Sequence, residues 1–153
     1  MTYEEKIQIL DNGIIRMNTY LSNGAAYNDH LDSTGNEAKR EAYDVLTKIE
    51  ATRASLYAVK NMSFDSCRRS MFGHMAGEYE MLYANKCNAY KQSINSIISI
   101  LNQERTRLIK EQSDAEQKKD KQMSKWNLIF SAIAAIGTIA TLLFTIFNYL
   151  CNN

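Results

Sequence analysis

The residues best suited to chemistry lie between Lys60 and Ser70, where Cys67 precedes Arg68 and Arg69, and Ser66 and Ser70 flank them. Guanidinium groups grip phosphate through a bidentate fork and neighbouring hydroxyls add donors, so Lys60, Arg68, Arg69 and Ser70 form a candidate site for an anion such as a nucleotide or oligonucleotide. A helix starting at Ser63 would turn its free backbone amides on the same anion. A solvated or salt-bridged surface pair is the plainer account of the two arginines. The same cations would favour a Cys67 thiolate, but no general base or second thiol stands near it in sequence. His30 falls in a polar loop and His74 between Gly73 and Gly77, neither at the spacing of a metal site. No glycine-rich phosphate loop ending in Lys-Ser or Lys-Thr occurs. These patterns predict a protein that is not an enzyme, with no catalytic residue, no metal and no cofactor. Cys67, Cys87 and Cys151 are too scattered for a disulfide framework or a zinc site, which predicts free thiols in a reducing compartment.

An all-α fold must position these residues. The 153-residue chain contains no proline, which removes the commonest helix breaker and leaves glycine to mark the ends. Thr2 and Glu5 fit a capping box, and Ile7, Leu10, Ile14, Met17 and Leu21 then recur every three or four residues, predicting a first helix of about twenty residues. Ser22-Asn23-Gly24 closes it, and the stretch to Gly35 reads as a loop. A second helix is predicted from about Asn36 to Lys60, with a seam of Ala42, Val45, Ile49, Leu56 and Val59 and with Thr52 as its one polar member. Ser63 to Asp65 can cap a third helix, bent or broken near Gly73 and Gly77. Met81, Cys87, Tyr90, Ile94, Ile97, Leu101 and Leu108 then give it a long seam. Met71, Met75, Tyr79, Met81 and Tyr83 cluster in sequence and predict core or protomer contacts rather than a ligand site. The expected organisation is a helical domain over 1–101, a polar helical stalk over 102–125 and a transmembrane helix over 126–151.

From Trp126 to Cys151 the chain reads WNLIFSAIAAIGTIATLLFTIFNYLC without one charged residue, long enough as a helix to cross about 30 Å of hydrocarbon. Trp126 and Tyr149 stand near its ends, and Lys118, Lys119, Lys121 and Lys125 crowd the N-terminal flank. The positive-inside rule then predicts a cytoplasmic N-terminal domain, and the polar, acidic N-terminus has no signal-peptide pattern. The formal net charge is +1, but residues 61 to 125 carry the basic excess, so attraction to anions belongs to that half. Within the span, Asn127, Ser131, Ala134, Thr138, Thr141, Thr145 and Asn148 follow at spacings of 4, 3, 4, 3, 4 and 3, which places them on one helix face. Leu128, Ile129, Phe130, Ile133, Ile136, Ile139, Leu143, Phe144 and Phe147 occupy the others. Such a stripe suits close packing between copies, a wet pore lining, or a lone anchor whose hydroxyls bond back to their own helix. Its mean spacing of 3.5 residues lets several copies wrap as a left-handed bundle.

In this layout the chain resembles the small single-span membrane effectors of bacterial phage-defence systems, the Hailong channel effectors among them, with the threonine-striped segment WNLIFSAIAAIGTIATLLFTIFNYLC carrying the likeness. The resemblance implies a homo-oligomer in the bacterial inner membrane, held closed until an infection cue releases it and then passing ions. It also implies control by a single-stranded oligonucleotide, for which Arg68 and Arg69 are the candidates. The alternative is a tail-anchored scaffold or tether that recruits a partner to the bilayer. A membrane-fusion helix protein fits least, because the polar run from Asn102 to Lys125 lacks a sustained apolar seam.

Overall fold

The computed structural model describes residues 1–23, 30–67 and 76–151. Arg68, Arg69, Ser70, Met71, Gly73, His74 and Met75 lie outside the described residues, as do Gly24 and the side chains of Tyr79 and Met81. Among the described residues the chain is all-α: α1 Tyr3–Asn23, α2 Leu31–Lys48, α3 Arg53–Lys60, a single 3₁₀ turn at Asp65–Cys67, and α4 Ala76–Cys151. Two units are distinguished, Met1–Lys110 and Glu111–Asn153.

The capping box forms at α1, where the Thr2 amide donates to Glu5 Oε2 at 2.8 Å and the Glu5 amide to Thr2 Oγ1 at 3.2 Å. Leu10 and Met17 are fully buried, and Ile7, Ile14 and Leu21 pack against the same core. Gly13 lets α1 approach α2 closely, since a Cβ there would meet Val45 Cγ1 at 3.2 Å. In α4 the expected seam is buried at Tyr90, Ile94, Ile97, Leu101 and Leu108. The Tyr90 ring meets Phe64 at 5.9 Å between centroids, and its hydroxyl donates to the Tyr20 carbonyl at 3.0 Å. Burial pushes the Tyr90 hydroxyl up to about 12, so it stays a neutral donor over the physiological range.

Two expectations fail in instructive ways. The second helix is not continuous to Lys60: α2 ends at Lys48 and Glu50 takes a left-handed φ of 57°. The Ala51 amide bonds the Leu46 carbonyl at 2.9 Å and the Glu50 amide bonds Thr47 at 3.1 Å, the two bonds of a Schellman motif closed without glycine. Thr52 is the N-cap of α3, accepting from the Ser55 amide. The long seam-bearing helix is consequently the fourth. Gly35, expected in a loop, sits buried inside α2, where a Cβ would overlap the Phe64 ring. Helix propensity alone favours alanine over glycine by about 1 kcal/mol. We expect Gly35→Ala to lose about 1–3 kcal/mol instead through overpacking, read by urea unfolding in detergent micelles; a gain in stability would mean that Phe64 is not seated there.

Candidate functional site

The seven positions of the small and hydroxylated stripe all lie on α4 within the second unit, and each is exposed in the single chain. Because the segment is helical throughout, its 3-and-4 spacing does set them on one face. The Thr138 hydroxyl donates to the Ala134 carbonyl at 2.9 Å, Thr141 to Gly137 at 2.8 Å and Thr145 to Thr141 at 2.8 Å. Each threonine thus spends its one proton on the turn below, which satisfies the donor in an apolar medium. What remains along the face is a row of hydroxyl oxygens able to accept. Around it, twelve large apolar side chains from Trp126 to Phe147 are uncovered, Leu128 at 75 % exposure among them. Covering a side chain of this kind is worth about 1.5–3 kcal/mol, so this helix needs an apolar phase. Among the described residues it is the one helix long and apolar enough to cross a membrane.

A second polar feature lies inside the first unit. Glu104 is only 3 % exposed, and its carboxylate gathers donors from two elements. Oε1 accepts from the Thr52 hydroxyl at 2.6 Å, the Thr52 amide at 3.2 Å and the Ser55 hydroxyl at 2.5 Å, while Oε2 accepts from Arg107 Nε at 2.8 Å. Burial raises the carboxyl pKa, but the hydrogen bonds from Ser55, Thr52 and Arg107 outweigh it and hold the group below its ordinary 4.5. Sequence reasoning missed Glu104, although the signal was there. The seam steps from Ile97 to Leu101 to Leu108, and Glu104 occupies the vacant place between the last two.

The anion candidates are only partly placed. Lys60 is the exposed last residue of α3 and lines a groove with Asn36, Lys39, Arg40 and Tyr43. Arg68, Arg69 and Ser70 are outside the described residues. No helix starts at Ser63: the turn at Asp65–Cys67 is three residues long. Its Asp65 amide is taken by Ser63 Oγ at 3.2 Å and its Cys67 amide by the Phe64 carbonyl at 2.9 Å, so neither is left for an anion. Cys67 is buried in the core.

A depressed carboxyl pKa in the folded state stabilises above the unfolded value and loses that contribution as pH falls through the folded one. The first unit is therefore expected to weaken as pH drops below about 4.5. Glu104→Ala should cost about 1–3 kcal/mol near neutral pH by removing the acceptor that Thr52, Ser55 and Arg107 share, with the gap to wild type narrowing in acid. A gap independent of pH, measured by chemical unfolding, would contradict this. Compared with known proteins, the chain matches no family model, no curated protein and no solved structure.

Proposed function

We propose that the chain is a homo-oligomeric membrane effector of the bacterial inner membrane, whose spans assemble an ion-conducting pore restrained by a cytoplasmic helical domain. Opening would depolarise the membrane, an outcome suited to phage defence. The observation that supports this is the stripe on an otherwise apolar, uncovered span. Lipid gains nothing from hydroxylated side chains, whereas water or a cation in a shared lumen is accepted by the oxygens of Thr138, Thr141 and Thr145. The apolar remainder of each helix faces lipid and neighbouring copies.

A tail-anchored tether is the second reading, favoured by the same three hydroxyls because each is satisfied by its own helix and requires no neighbour. In a tether, exchanging the span for a plain leucine-rich anchor leaves function intact. In a pore, the exchange abolishes it. Thr141→Leu separates the two more finely. It removes one acceptor at the middle of the stripe and narrows the lumen, so we expect conductance and toxicity to disappear while membrane insertion is retained. Unchanged toxicity on induced expression would remove the stripe from the mechanism.

A further inference from the structure

The groove between α2 and α3 concentrates positive charge in a chain whose net charge is only +1. Its volume is about 430 Å³, within the range of about 300–1,000 Å³ occupied by small-ligand sites. Lys39, Arg40 and Lys60 line it together with Asn36 and Tyr43, and among the described residues no carboxylate does. Two acidic residues of α2, Glu41 and Asp44, line a separate groove shared with α1, where Arg16 stands 3.6 Å from Glu41. Among the described residues neither Arg40 nor Lys60 has an ion-pair partner.

Lys39 is held in place. Its ammonium donates to the Met62 carbonyl at 2.6 Å, which fixes the side chain and leaves two further N–H donors. Arg40 offers the planar fork that matches two phosphate oxygens, and Asn36 adds an amide donor. We propose that this groove binds a phosphate-bearing anion, with Arg40 as the bidentate clamp and with Lys39 and Lys60 neutralising the remaining charge. Phosphate rather than carboxylate is favoured because three cations line one space with no carboxylate among the described lining residues, a demand that a singly charged carboxylate leaves unmet. The site stands apart from the pore, since it requires neither oligomerisation nor conductance. The phosphate has two sources of the same chemistry, a soluble oligophosphate or a phospholipid headgroup.

The test uses the full chain in neutral detergent, titrated calorimetrically with inorganic tripolyphosphate. Saturable binding that weakens with added salt is expected, lost in Arg40→Glu and weakened about tenfold in Lys60→Ala. Both side chains are exposed, so the melting temperatures of the unliganded variants should match wild type and confirm that they fold. A second arm compares nanodiscs of phosphatidylglycerol and phosphatidylcholine. If tripolyphosphate fails to bind but phosphatidylglycerol raises the melting temperature of wild type and not of Arg40→Glu, the phosphate is a lipid headgroup. Wild type and Arg40→Glu behaving alike in both arms would overturn the proposal, as would equal tripolyphosphate affinity in the two proteins, which would place binding elsewhere on the chain.

Discussion

The uncharged segment of α4 leaves twelve large apolar side chains uncovered, a surface that water disfavours. Each such side chain has about 1.5–3 kcal/mol to gain from an apolar surrounding, and the backbone, satisfied within the helix, offers no objection to leaving water. The first unit has a filled core of its own, formed by Leu10, Met17, Leu46, Ile49, Tyr90, Ile94, Ile97 and Leu101, all fully buried. A lipid bilayer is such a surrounding. The threonine face then becomes the part of the helix that lipid covers least well.

Within the first unit, the core is closed by a polar contact between two seams. Thr52 interrupts the apolar spacing of the second predicted helix, and Glu104 interrupts that of α4. Taken singly, each looks like a defect in an amphipathic pattern. In the structure they meet, Thr52 giving both its hydroxyl and its amide to one carboxylate oxygen. A buried carboxylate without such partners would be strongly destabilising, so the pair also fixes which turn of α3 packs on which turn of α4. Further pairs, Arg105 with Asp11 at 2.6 Å and Lys6 with Glu50 at 2.7 Å, join elements at the more exposed rim.

Periodicity made α1 and the α4 seam legible in the sequence, because each keeps one spacing over many turns, and the uncharged run from Trp126 to Cys151 did the same for the apolar span. The break between α2 and α3 was not legible. It relies on Glu50 in a left-handed conformation, a position where glycine is the usual signal, and the seam of Ala42, Val45 and Ile49 continues in phase through Leu56 and Val59. Gly35 misled in the opposite sense, since its role is to make room for Phe64, 29 positions later in the sequence. The missed break also concealed the basic groove. In one unbroken helix Lys39 and Lys60 would stand about 30 Å apart, whereas the turn at Glu50 lets both line one space. The threonine face was legible as a face, but its hydrogen bonding was not, because the same spacing serves a hydroxyl bonded to its own helix or to a neighbour.

The central claim is that the span carries ion flow and that the soluble unit restrains it. Its most direct measurement is membrane potential, recorded with a dye during controlled expression of the full chain, a truncation ending at Lys125, and the span freed of its soluble domain. The account predicts depolarisation only where the span is present, strongest when the soluble domain is gone, and none from the truncation. An unchanged potential in all three, the freed span included, would contradict it and leave an anchor in its place.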